Sequence, residues 1–436
     1  MDNLEKIKKY LNNNFDQYEI YEESSNLRSI SFESNNLKEV SSNQSQGFAA
    51  RGIKNNNITF SSSSNYDSES FISNFKELSE YPIPINIKFP EQDEYRNTIL
   101  YDDNVNSYQN EYLIEVLSKE IKKINKLFPN SLCDGGFSIA EGTGKIINSS
   151  KLDVGKKESF ISFYISSQII NGNDMLNIYK YKNSVKDISK EEIDLMVSKL
   201  CEELAIAQVL KSTPKKGCPV IFTPHGLYQT LLSPLLVSFS GTNLSKNLSS
   251  LCGKEGIQLF DEKITLTDNP HIDFSPASRN HDDEGVATKK NILINNGVFI
   301  NGLYDLKTGN ESSKDTTGSA GRSIHSSPTP TTSNIVMKKG QKKINSMISE
   351  IEDGVLVDNL LGAGQGNELS GNFSANISLG YKIEKGEIVG RVKNTMISGN
   401  SFEALKNVEE ISIEKEDVYG SMSLPYLQTQ NVEISY

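Results

Sequence analysis

Gly217-Cys-Pro-Val-Ile-Phe-Thr-Pro-His-Gly-Leu-Tyr-Gln-Thr-Leu-Leu-Ser-Pro-Leu-Leu-Val-Ser-Phe-Ser-Gly241 passes from a short apolar strand, Pro219 to Phe222, into a helical apolar run, Leu231 to Phe239. That run, LLSPLLVSF, carries no acid, base or metal ligand. Its apolar character predicts a core helix. Pro234 has no N–H for the carbonyl of Thr230, which predicts a kink there. Downstream the pattern is mostly strand. Ile292 to Ile300 reads as a hairpin around Asn296-Gly297. Phe373, Ala375, Ile377, Leu379 and Tyr381 alternate, and Lys385-Gly386 turns that strand into the next at Ile388. Thr308 to Thr332, rich in Ser, Thr, Gly and Pro, reads as a mobile functional loop or a partly disordered one.

Upstream, helices and strands mix. Leu4, Ile7 and Leu11 share a helix face, and Arg28 to Phe32 alternates as a strand. Gly47 to Ile53 and Ile58 to Phe60 are short strands around the turn Asn55-Asn56-Asn57. Phe71, Ile72, Phe75 and Leu78 form a helical stripe capped by Asp67 or Ser68 and ended by Tyr81-Pro-Ile-Pro. Asn106 to Phe128 reads as one long helix. Ser159 to Ile170 and Leu176 to Tyr181 pair across Asn171-Gly172-Asn173, and Ser189-Lys-Glu-Glu192 is a capping box for a second long helix. Turn-rich Ser212 to Gly217 marks a boundary. The expected class is α+β. Residues 1–212 form an N-terminal domain of antiparallel strands packed on helices, with a sub-boundary near 85–105. Residues 213–436 form a β-rich domain holding the LLSPLLVSF helix.

The 436 residues carry a net charge of −11, with an isoelectric point near 5.1 and a mean hydropathy of −0.44. This balance argues against direct nucleic-acid binding, which needs clustered Lys and Arg, and against attraction to an anionic membrane. No apolar run is long enough to span a bilayer, and the N-terminal MDNLEKIKKYLNNNF is a helix start without the apolar core of a signal peptide. Cys133, Cys201, Cys218 and Cys252 form no CxxC and read as reduced, buried thiols. The expected compartment is the cytoplasm.

Local motifs for chemistry are sparse. Glu141-Gly-Thr-Gly-Lys145 lacks the first glycine and the hydroxyl of a phosphate loop, so it reads as a turn. Leu361-Gly-Ala-Gly-Gln-Gly366 reads as a sharp turn or bulge at a strand end, with close approach of a peptide backbone as an alternative. His225, His271, His281 and His325 show no metal-ligand spacing and default to surface or hydrogen-bonded roles. His281-Asp-Asp-Glu284 could hold a cation, but a solvated turn before a strand at Val286 is the favoured reading. Ser233 and Ser238 have no histidine beside them to support a Ser-His-Asp nucleophile.

An ordered set of motifs then resembles one family, the TldD/PmbA proteins, also called modulators of DNA gyrase. Gly47-Phe-Ala-Ala-Arg-Gly52 matches in pattern. Pro219-Val-Ile-Phe222, Asp283-Glu-Gly-Val286, Thr317-Gly-Ser-Ala-Gly-Arg322, Pro330 with Asn334, Gly354 to Gly366, Ser370-Gly-Asn-Phe373 and Ser398-Gly-Asn400 follow in the family's order. TldD-type members carry HExxxH and a cysteine before a late glycine, a set that holds zinc and activates water. Here the HExxxH positions are Ser233, Pro234 and Ser238, and the cysteine position is Tyr419 before Gly420. Every ligand and the base are replaced. The chain is therefore similar to the PmbA branch, also called TldE.

The resemblance implies two-fold dimers enclosing a chamber and a role in trimming peptides. It implies a non-catalytic subunit with no metal or cofactor of its own, zinc being expected only in a TldD-type partner chain. The chain would pair with that partner or with itself. Asp283, Glu284, Gly285, Asn334, Gly364 and Gly366 are candidate contacts for a peptide substrate. Two alternatives stay open: a homo-oligomeric peptide-binding protein without peptidase activity, and an independent hydrolase using other residues, such as His281, Asp283 and Glu284.

Overall fold

The computed structural model describes residues 3–363 and 366–436. The chain is α+β. Its first sheet has seven strands: β1 (Gln17–Glu33), β2 (Asn36–Lys54), β3 (Asn57–Ser63), β4 (Ile83–Pro84), β5 (Leu132–Asn148), β6 (Asp153–Asn171) and β7 (Asp174–Ser184). They run in the order β4-β3-β2-β1-β5-β6-β7, and every neighbouring pair is antiparallel. Helices α1 (Asn3–Asn14), α2 (Ser68–Leu78), α3 (Asp103–Ser107), α4 (Asn110–Leu127) and α5 (Lys190–Ala207) accompany it.

Local signals placed several of these elements. Asp67 accepts from the Glu69 and Ser70 amides at the start of α2. Both halves of the Ser189–Glu192 capping box are made at the start of α5. Asn55 and Asn56 take positive φ in the β2–β3 turn. Three readings change. The helix expected over Asn106 to Phe128 is two helices, because Tyr108 is extended between α3 and α4. Glu141 to Lys145 is no turn; it lies inside β5, paired with β1 and β6. The short strands expected around Arg28 and Gly47 are parts of strands of 17 and 19 residues. Asn36 to Gln46 of β2 is exposed throughout, so no apolar alternation marks it.

The second sheet has 13 strands. In chain order the later strands are β8 (Leu210–Lys211), β9 (Val220–Phe222), β10 (Leu266–Asp268), β11 (Asn291–Asn295), β12 (Val298–Phe299), β13 (Ala320–Gly321), β14 (Thr329–Pro330), β15 (Ile335–Met337), β16 (Asp353–Leu361), β17 (Asn372–Glu384), β18 (Glu387–Val392), β19 (Met396–Asn400), β20 (Val408–Val418), β21 (Met422–Thr429) and β22 (Val432–Ser435). The main path is β12-β11-β10-β15-β21-β9-β16-β17-β18-β8, and β20 pairs with β21. The inward residues of β17, Phe373 to Tyr381, are buried as their alternation predicts. Thr308 to Thr332 is built into the fold: a helix over Leu306–Glu311 leads into the β13–β14 pair, and Thr317 and Ser319 are buried.

Two cores matter for the site. One, under the second sheet, contains Val220, Phe222, Leu231, Leu232 and Leu235. The other joins Leu117 and Ile121 of α4 and Val197 and Leu204 of α5 to Ile221, Leu356 and Tyr381 of the second sheet. Helices α4 and α5 thus share apolar surface with both sheets, which fixes β7 close to β16 and β20.

Candidate functional site

Strand β9 runs into α6 (Pro224–Leu227), a π turn over Tyr228–Leu232 and α7 (Ser233–Ser238). Thr223 caps α6: its hydroxyl accepts from the Gly226 amide and donates to Asp358 Oδ1 at 2.7 Å. Where Pro234 was expected to disturb the helix, the chain makes the π turn just before it. The Ser233 amide bonds the Tyr228 carbonyl, one residue further back than in an α-helix. The Thr230 carbonyl, which has no proline N–H to accept, lies 3.1 Å from the Ser401 hydroxyl. That hydroxyl is also 3.0 Å from the Gly371 carbonyl, which already accepts the Ser401 amide. Its single hydrogen is therefore best spent on Thr230.

Of the four positions that the resemblance sets against the metal motif, Ser238, Ser233 and Tyr419 each make polar contacts within the fold. Ser238 is fully buried, and its hydroxyl donates to the Pro234 carbonyl at 3.0 Å. Ser233 is half-buried and lies against the Tyr228 hydroxyl. Tyr419 sits in the β20–β21 turn with φ 58° ahead of Gly420 with φ 74°. Its amide donates to Tyr181 Oη at 3.2 Å, and its carbonyl accepts from Asn183 Nδ2 at 3.1 Å. Its ring stacks on Tyr181 at 5.0 Å and meets Tyr228 edge-on at 5.6 Å.

His225 is the centre of this cluster. Tyr179 Oη and Tyr419 Oη lie 2.9 and 3.0 Å from its Nε2. Its Nδ1 lies 3.1 Å from the Asp358 carbonyl, which can only accept, so Nδ1 carries the proton and Nε2 receives a tyrosine hydroxyl. Asp358 is the extra residue of a bulge: Val357 faces Gly380 and Asn359 faces Leu379. The bulge turns its carbonyl to His225 while its carboxylate meets Thr223. Burial holds the Tyr179, Tyr181 and Tyr419 hydroxyls above the usual phenol range, so they stay protonated at neutral pH.

Zinc does not fit these positions. Two serine hydroxyls, a proline and a hydrogen-bonded phenol offer neither the imidazole and thiolate donors nor the carboxylate base of a zinc peptidase. Among the described residues no group of three or more His, Cys, Asp and Glu could hold a metal ion. His225 was expected to be surface or hydrogen-bonded, and it is hydrogen-bonded. Its partners were not anticipated, although Tyr179 and Tyr181, two apart on a strand, share a face.

The six candidate peptide contacts fall in different places. Glu284 is 1 % exposed. It accepts from Arg51 Nη1 at 2.9 Å and from the Leu306 amide at 2.8 Å. Arg51 also forks onto Glu19 at 3.0 and 2.7 Å, and Arg322 reaches Glu19 at 2.7 Å. Asp283 accepts the Arg322 amide at 3.0 Å. Gly285 has φ 81°, and a Cβ there would stand 2.3 Å from Leu152 Cδ2. Asn334 is buried and braces Asn269 and Ser278, each at 2.8 Å. Gly366 is exposed; Gly364 lies outside the described residues. The solvated turn read at His281 to Glu284 is instead interior. Asp282 is fully buried and accepts the amides of Glu284, Val286 and Ala320. Burial, then Glu284 beside it, pushes its carboxyl up to about 7. No strand forms at Val286. The turn read at the Gly-rich stretch begins where expected, with Gly362 at φ 85° after β16.

The family model for the PmbA/TldA metallopeptidase C-terminal domain matches residues 214–436. The chain belongs to the PmbA/TldD family. The model for PmbA/TldA metallopeptidase domain 1 matches residues 18–79. An uncharacterized protein of Methanocaldococcus jannaschii is 28% identical to this member over 87% of each chain. A metalloprotease PmbA homolog of Buchnera aphidicola is 24% identical over 61% of this chain and 62% of its own. The crystal structure of TldE from Thermococcus kodakarensis superposes with a TM-score of 0.88 at 26% identity, covering 100% of both chains.

Proposed function

We propose that this chain is the non-catalytic, PmbA/TldE-type subunit of a cytoplasmic metallopeptidase acting on peptides or unfolded proteins. It pairs with a zinc-bearing TldD-type chain and has no cofactor of its own. The observation that carries the reading is the state of the four motif positions. The family scaffold is intact around them, yet Ser238 is spent inside its own helix and Tyr419 is bonded to His225. The division near residue 212 belongs to the same proposal: the first part lends β7, the second lends β20, and together they flank the closed site. Strand β7 ends the first sheet with an outer edge suited to an extended peptide held by strand addition, whereas the outer edge of β20 is met at Ser412 by Lys342. In keeping with a soluble role, no helix among the described residues is long and apolar enough to cross a membrane.

The test is purification of the chain alone and with a cognate TldD-type chain, followed by zinc analysis and peptide cleavage. Activity and stoichiometric zinc are expected only with the partner. Both in the lone protein would sink the proposal. Native mass of the complex from its own cells separates pairing with a TldD-type chain from pairing with itself.

A further inference from the structure

Beside the closed motif lies a cavity of about 490 Å³, between Tyr179–Lys182 of β7, α5, and the β16, β17 and β20 strands. Its lining carries four lysines, Lys180, Lys182, Lys199 and Lys415, and four carboxylates, Glu203, Asp358, Glu416 and Asp417; around Lys180 they are unevenly matched. Lys180 pairs with Glu203 at 2.6 Å. Asp358 and Glu416 also face Lys180; despite the burial that opposes it, Glu203, Asp358 and Glu416 hold its ammonium above the usual range. Three carboxylates therefore face one ammonium, Glu416 from the solvent-exposed side. Among the described residues neither Asp358 nor Glu416 has a Lys or Arg ion-pair partner; Asp358 receives only the Thr223 hydroxyl and Glu416 only that of Tyr426. The same imbalance is read by the neighbouring tyrosines: after burial, Glu203 and Asp358 raise Tyr381, and Glu416 and Asp358 raise Tyr426.

A second observation points to a ligand. Tyr381, on the cavity wall and only 5% exposed, has a buried hydroxyl with no hydrogen-bond partner. A buried polar group without a partner is costly, and a donor entering the cavity would relieve it. The remaining lysines on the wall do not supply that donor. Lys182 is directed to Glu192 at 3.6 Å, and Lys199 is exposed. Lys415 is held below its usual range by burial and by Lys339.

We propose that this cavity takes the cationic nitrogen of a peptide, a primary ammonium or a guanidinium, seated among Asp358, Glu416 and the Glu203–Lys180 pair with tyrosine rings as its walls. Such a group brings several donors and no acceptor, the complement of unpaired carboxylate oxygens and a spare phenol oxygen. Tyrosine faces add cation–π attraction. The inference rests on the reading that this chain holds peptides and does not depend on its partner.

The test uses the full chain and calorimetric titration with three peptide probes. These are an acetylated, amidated alanine pentapeptide with a central lysine, the same peptide with norleucine, and an alanine pentapeptide amide with a free N-terminus. One charge-assisted contact predicts binding at least about tenfold tighter for a cationic probe than for norleucine. Asp358→Asn and Glu416→Gln, which keep shape and the Thr223 and Tyr426 contacts, should each erase most of that difference. The lysine and free-terminus probes tell which source of ammonium is preferred. Equal binding of all three by the unaltered chain overturns the cation pocket while leaving peptide holding intact. If no peptide binds, peptide holding fails, and n-butylammonium followed through the tyrosine NMR signals decides the pocket alone. Shifts lost in Asp358→Asn support it; none in the unaltered chain overturns it.

Discussion

Replacing Arg51 with methionine removes the cation at the centre of a buried network while keeping much of its stem volume. Arg51 makes two bonds to Glu19 and one to Glu284, and all three side chains are at most 4% exposed. Glu19 keeps Arg322 at 2.7 Å, but Glu284 is left with the single Leu306 amide. Stranding a buried charge in this way costs about 3–5 kcal/mol. The assay is urea unfolding followed by far-ultraviolet circular dichroism and tyrosine emission, since the chain has 18 Tyr and no Trp. The loss should depend on pH. Without Arg51, the Glu284 carboxyl, already raised by burial, rises further. A raised acid binds a proton in the folded state that the unfolded state has released. Its stability contribution therefore falls as pH rises above the unfolded carboxylate range, and the deficit should be larger at pH 8 than at pH 5. The double variant Arg51→Met with Glu284→Gln should recover part of the loss. A deficit under about 1 kcal/mol, or one that ignores pH, refutes the reasoning.

Three further outcomes follow from the same geometry. Ser401→Ala leaves the buried Thr230 carbonyl without its hydroxyl donor and should cost about 1–3 kcal/mol in urea unfolding; adding Pro234→Ala, which returns an N–H, should recover part of it. Asp282, pushed from 3.8 up to about 7 by burial, favours folding most at low pH. Its contribution should decline as pH rises across that window, and Asp282→Asn should remove that slope from the pH–stability curve while losing the acceptor of the Ala320 amide. Restoring the motif with S233H, P234E, S238H and Y419C should not create a zinc site. The imidazole at 238 would enter a position that is fully buried, at a cost of about 1–3 kcal/mol, and stoichiometric zinc at unaltered stability would refute this.

Much of the fold was legible wherever a short stretch carries its own physics. The Ser189–Glu192 box and the Asp67 cap are local hydrogen bonds, and the alternation of Phe373 to Tyr381 is one buried face of a strand. The legible part stops where polar residues hide the period. Asn36 to Gln46 is strand because β1 pairs with it along its length, although its side chains are exposed on both faces. The polar run His281 to Glu284 looks solvated in one dimension. It is interior because Arg51, from β2, reaches Glu284.

The sequence by itself determined that Ser233, Pro234, Ser238 and Tyr419, the positions that the resemblance sets against the metal motif, carry neither imidazole, thiolate nor carboxylate, because these are chemical identities that no fold can change. It also determined the class of scaffold, through motifs whose order survives. Only the tertiary structure decided what gathers around those positions. His225 is local to the helix, but Tyr179 comes from the first sheet and Tyr419 from a turn 194 residues downstream, and a bulge at Asp358 orients the ring. Contacts of such separation depend on how two sheets share α4 and α5 between them, a packing outcome that no window of sequence contains.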